Sequence, residues 1–184
     1  NKLLFIIPIM VIFWNNIHGG VVSGLGLIGM YAVGEFLNKK PYAKYLITLG
    51  ISLPLLLINP WGYQYIKFLL MANTMKRPYI VEWWGLFSKF HLFKQIKFKL
   101  FMLFSVIAEG LFTYKSIKNQ TLKNWYEKAD KVKYIVVLST LYLSISHIKL
   151  LPFFAIVTLC YLYDDFYKLF ENIKLPAIKD KIIY

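Results

Sequence analysis

The chain alternates long apolar runs with short polar stretches. Residues 3–14, 21–37, 45–58, 98–114, 134–145 and 151–163 are almost wholly apolar or aromatic, and runs of this length predict helices rather than strands. Several fall short of the roughly 20 residues that cross a hydrocarbon core. Pro8 kinks the first run, and Pro54 is a tolerated break in the third. Gly24, Gly26 and Gly29 punctuate the second, where small residues let helices approach closely in lipid. Between 63 and 97 apolar and aromatic residues are interspersed with Lys67, Lys76, Arg77, Glu82, Lys89, His91 and Lys94, a pattern suited to interfacial helices. No repeat, heptad or low-complexity tract stands out.

Composition decides the class. With 58% hydrophobic and 17% charged residues in 184, a water-soluble fold would lack polar surface to cover its core. The expectation is all-α: a polytopic transmembrane bundle of about six spans, one domain over residues 1–184. The net charge of +13 does not point to nucleic acid, because the lysines gather between apolar runs as membrane proteins place them. With both ends cytoplasmic, 14 of the 22 Lys and Arg fall inside. The basic tail over 168–181 is among them.

The chain begins at Asn1, and nothing near Trp14 resembles a signal-peptide cleavage site. It therefore reads as part of a longer polypeptide. The single Cys160 excludes an internal disulfide and is expected as a packed thiol. Glu35 and Glu109 fall near inner span ends, and Asp164-Asp165 reads as a solvated pair beside Lys168.

Candidate chemistry gathers at three polar tips that this alternation places on one face, the non-cytoplasmic one. They are residues 14–20, residues 59–62 running on to 77–84, and residues 146–152. Arg77, His147 and Lys149 can supply fixed cations to a phosphate; alternatively Arg77 and Lys149 snorkel to lipid headgroups. Asn16 and His18, beside Gly19 and Gly20, can approach a substrate; alternatively the tip is only a turn whose His caps a carbonyl. Trp61, Trp83 and Trp84 can stack on sugar faces or form an aromatic belt. Glu82, the only acidic residue on this face, is the candidate general base, or pairs with Arg77. No cofactor is implied, and a metal would need His18, His91 and His147 to converge.

The ordered tips resemble a known family. Trp14-x-Asn16-x-His18-Gly19-Gly20 before a glycine-studded span is similar to the Trp-x-Asn-x-His-Gly-Gly element of bacterial and archaeal membrane proteins related to the GT-C glycosyltransferases. So is Asn59-Pro60-x-Gly62 followed by Glu82-Trp83. His147-Ile148-Lys149 before Leu151-Pro152-Phe153-Phe154-Ala155 resembles their Arg-His-x-Arg-Phe-x-Pro-Leu-Phe pattern, with Ser146 where an Arg is usual. The resemblance implies an integral protein of a prokaryotic cell membrane that handles a polyprenyl-phosphate-linked sugar at the non-cytoplasmic face. Arg77, His147 and Lys149 would then hold the phosphate, while Asn16, His18, Glu82 and Trp83 shape the sugar or acceptor pocket. Such enzymes usually carry their catalytic carboxylate in a first outer loop, and no acid precedes Glu35 here. The rival expectation is a non-catalytic membrane subunit that binds a lipid or small solute, or scaffolds further membrane subunits.

Overall fold

The computed structural model describes residues 2–118 and 120–171. Among them the fold is all-helical, with no strand: α1 (Ile6–Ile17), α2 (Val21–Leu37), α3 (Ala43–Leu55), α4 (Tyr63–Thr74), α5 (Ile96–Lys118), α6 (Leu122–Lys128), α7 (Lys131–Ser146) and α8 (Leu151–Phe170). A 3-10 turn at Ile148–Leu150 leads into α8. Residues 148–170 form the one described stretch that is both long and apolar enough to cross a membrane. α1, α2 and α3 are apolar but shorter, at 12, 17 and 13 residues.

Packing runs α1, α3, α2, α7, α8, α5 across the bundle. One cluster of buried side chains, including Val11, Val21, Leu25, Ile28 and Leu56, joins the first three helices. A second, including Leu86, Val136, Ile148, Phe154 and Leu162, joins α7, α8 and the segment before α5. Leu46, Ile47, Leu103, Leu138, Ile156 and Leu159 all point outward and are more than half to half exposed. Those outward leucines and isoleucines give the bundle an apolar exterior.

α2 and α7 run antiparallel, and a glycine sets their approach. A Cβ at Gly34 would lie 2.7 Å from the Cα of Val132 and 2.9 Å from its backbone nitrogen. The expected close-approach glycines behave differently: Gly26 and Gly29 face open space, and Gly24 accommodates the ring of Trp14. Beyond Gly34 the helix ends are tied. The Asp130 carboxylate accepts from the Val132 N–H and the Asn38 amide, and Asn38 accepts in turn from the Lys131 N–H, each at 3.0 Å. Midway, the hydroxyls of Tyr31 on α2 and Tyr161 on α8 are hydrogen-bonded.

Two expectations for α8 are corrected. The C-terminal helix does not stop at Tyr163 with a solvated acidic pair; it continues through Asp164 and Asp165 to Phe170. Asp164 is exposed, but Asp165 is buried and paired with Lys133 of α7, which also bonds Glu109 of α5 at 3.0 Å. A neutralised carboxylate lets the buried face run on. Cys160 is exposed rather than packed, because Leu151, Phe154, Val157, Thr158, Leu162 and Asp165 form the buried stripe and position 160 lies off it. The basic tail expected over 168–181 lies, beyond residue 171, outside the described residues.

The segment 63–97 is helical only in α4, a 3-10 turn at Val81–Trp83 and the start of α5. α4 exposes Tyr63, Phe68, Leu70 and Met71, and the following stretch exposes Tyr79, Phe87 and Phe93. Exposed rings interspersed with lysines keep this segment consistent with an interfacial position.

Candidate functional site

The three tips lie at one end of the bundle and touch in pairs. Asn15 and Asn16, at the end of α1, donate their amides to the carbonyls of Leu56 (3.0 Å) and Ile58 (2.8 Å), just beyond α3. The second tip reaches the third through backbone: Ile148 N–H donates to Trp84 C=O at 3.1 Å, and Leu86 N–H to Ile145 C=O at 2.9 Å. Leu86, fully buried, anchors this strap in the core. His91 reinforces it from inside. Its Nε2 lies 3.0 Å from Val81 C=O, while the Lys99 ammonium bonds the carbonyls of His91 and Leu92.

At the second and third tips the predicted cations meet around Trp83. α4 ends at Thr74, and Pro78 cannot continue a helix, so the chain turns there. Arg77 folds back to give Nη2 to the Ala72 carbonyl at 2.7 Å, capping a helix C-terminus where positive charge is favoured. Its Nη1 is buried with no hydrogen-bond partner. The guanidinium carbon sits 3.6 Å from the centroid of the Trp83 ring, and Lys149 Nζ sits 3.0 Å from it. His147 meets the same ring edge-on at 5.4 Å. Indole faces are negative, so the ring holds two cations that repel each other.

Beside them is a cavity of about 370 Å³ lined by Thr74, Lys76, Arg77, Trp83, Trp84 and His147. No carboxylate lines it among the described residues. Glu82 is exposed and within electrostatic reach of Lys149. The alternative pairing of Glu82 with Arg77 is not formed: the described ion pairs are those of Lys133.

Burial, together with the charges of Lys149 and Arg77, holds the His147 imidazole below its ordinary value of 6.5. His147 is therefore neutral at pH 7 in the folded protein. The unfolded chain binds the proton more readily, so this residue's contribution to stability is full above about pH 6.5 and declines as pH falls through the lowered value. An NMR titration of the His147 ring is expected to midpoint below 6.5 and to move upward when an anion neutralises the neighbouring cations. A midpoint at or above 6.5 would contradict this picture.

The first tip forms a separate pocket with the start of the second. It measures about 220 Å³ and is lined by Asn15, Asn16, His18, Trp61, Tyr65 and Phe68, among others. Gly20 N–H donates to His18 Nδ1 at 2.8 Å, so the neutral ring carries its proton on Nε2. A Cβ at Gly20 would fall 2.7 Å from that Nδ1, which is why the motif has glycine there.

Thus Arg77, Trp83, His147 and Lys149 converge, with Glu82 within electrostatic reach of Lys149. Asn16 and His18 lie in the other pocket, and α4 separates the two. The three histidines do not gather, and no group of three potential metal ligands occurs among the described residues. Sequence reading missed Lys133, which sits in a run of basic residues, and Asn15, which looked like a duplicate of Asn16. The signal available for Lys133 was that two other apolar runs carry acids in or beside them, Glu109 and Asp165. No protein-family model matches the chain, and neither does a curated protein or a solved structure.

Proposed function

We propose that this chain is the transmembrane part of a GT-C-like glycosyltransferase that binds a polyprenyl-phosphate-linked sugar at the non-cytoplasmic face. On this reading α1, α2, α3, α5, α7 and α8 cross the membrane, and the tip-bearing end faces outward. One observation carries the reading: segments some 70 residues apart bring Arg77, His147 and Lys149 to the single ring of Trp83, and the ring, Arg77 and His147 line one cavity. A phosphate oxygen would take the Lys149 ammonium, with the Arg77 guanidinium at the same ring adding its positive charge. The lipid tail would lie along the apolar exterior.

Glu82 is the acid nearest the cations and the candidate base on this reading. The lack of a carboxylate among the described cavity walls favours, as a second reading, a non-catalytic subunit that binds the same lipid phosphate.

The test is binding of undecaprenyl phosphate to the full chain in lipid nanodiscs, read by native mass spectrometry. Arg77→Ala and Lys149→Ala are each expected to weaken it about tenfold or more, a charge-assisted hydrogen bond being worth about 1.5–3 kcal/mol. Lys40→Ala, at the opposite end, is the control. Equal binding by all four proteins would sink the phosphate assignment. Glu82→Gln separates the two readings: loss of sugar transfer with binding retained supports the enzyme.

A further inference from the structure

We infer that the cavity at the opposite end of the bundle from the tips binds the headgroup of a zwitterionic lipid that carries a phosphate and a primary ammonium, as phosphatidylethanolamine does. The cavity measures about 360 Å³ and lies among α5, α6, α7 and α8. α6 closes one side of it, held there by Trp125, which meets Tyr134 of α7 edge-on at 5.8 Å. Its walls carry both signs of charge: Lys128, Lys133 and Lys168 share them with Asp130, Asp164 and Asp165.

Which of these charges are available decides the ligand. Lys133 and Asp165 are spent on each other. Asp130 is spent on the Val132 N–H and the Asn38 amide. Lys128, Asp164 and Lys168 are exposed and take part in no ion pair among the described residues. Asp164 and Lys168 stand four residues apart on α8, a spacing at which opposite charges can pair, yet they do not. Two cations and one anion are thus left open to a single cavity. A phosphate suits the two ammonium groups, and the carboxylate calls for a cation in the same ligand. A purely anionic headgroup would answer the lysines and be repelled by Asp164. A quaternary ammonium would bring Asp164 no N–H, and the aromatic faces that attract such groups are taken, Lys133 Nζ lying 4.5 Å from the Tyr134 centroid and 5.7 Å from that of Phe112.

The surface around the cavity points to a lipid as the source of this zwitterion. Toward the middle of α5 and α8, Ile107, Leu111, Ile156 and Leu159 are 51–60% exposed. Level with the cavity the exposed side chains become Tyr114, Tyr163 and Tyr167, at 61–64%, and exposed Lys115 and Lys118 follow on α5. Apolar residues, then tyrosines, then lysines is the order met on leaving a hydrocarbon layer. The headgroup would enter the cavity while its chains lie on the apolar exterior. The inference rests on the reading that the bundle lies in a bilayer, and not on the phosphate assignment at Arg77 and Lys149.

The test is native mass spectrometry of the full chain in detergent, titrated with dioleoyl phosphatidylethanolamine, phosphatidylcholine and phosphatidylglycerol. The first is expected to bind about fivefold or more tighter than the other two, through its charge-assisted hydrogen bonds at both ends. Lys168→Ala is expected to weaken it by a similar factor. Asp164→Lys is expected to turn the preference toward phosphatidylglycerol, a gain that a misfolded chain could not show. Glycerophosphoethanolamine, the same headgroup without chains, is expected not to displace the lipid at equal concentration, and displacement would overturn the lipid as the source. Equal binding of the three lipids, an Asp164→Lys chain that keeps the original preference, or binding lost in Arg77→Ala but kept in Lys168→Ala would each overturn the inference. Undecaprenyl phosphate binding is read at Arg77 and Lys149, so the two sites fail separately.

Discussion

Lys133→Ala is expected to destabilise the fold by about 3–5 kcal/mol, the cost of removing one partner from a buried ion pair. The Lys133, Glu109 and Asp165 side chains are 12%, 14% and 13% exposed, so little water is available to replace the ammonium. Its loss leaves two carboxylates, from α5 and α8, without the cation between them. Glu109 already has one oxygen buried without a partner, and Thr113 contributes only a hydroxyl at 3.5 Å. Chemical unfolding in detergent, followed by tryptophan fluorescence, measures the loss. The informative companion is Lys133→Met combined with Glu109→Gln and Asp165→Asn, which removes the charge with its partners and is expected to recover most of the stability. A single variant costing under about 1 kcal/mol would show that water reaches the cluster.

Gly34→Val comes next, expected to cost about 1–3 kcal/mol or more as overpacking. The obstructing atoms include the backbone of Val132, which cannot rotate aside as a side-chain tip can. α2 and α7 must separate, and the Asn38, Asp130 and Lys131 ties lie one turn further on. Gly26→Val, facing open space, is the matched control and is expected to change stability little. Comparable losses from both would mean that the contact with Val132 does not govern the effect, since helix propensity alone favours Val over Gly.

The sequence made the helices legible because apolar runs of this length allow few alternatives. It also made the common end of the three tips legible, since alternation across a layer fixes parity without any knowledge of contacts. What it concealed were the pairings. Asp165 beside Asp164 and Lys168 looks solvated until α7 brings Lys133 across. Gly34 is no different in the chain from Gly26 or Gly29, and only the crossing point of two helices distinguishes it. The candidate site was legible as a set of residue types, but its division was not: Arg77 and His147 fall to one pocket and His18 to another, because α4 lies between them.

Arg77 and Lys149 share the ring of Trp83, which therefore holds like charges together against their repulsion. An anion that enters relieves this. By mass action it also stabilises the whole protein, by about 2.7 kcal/mol at a hundred times its dissociation constant. Melting temperature thus becomes a readout of whether an anion binds there.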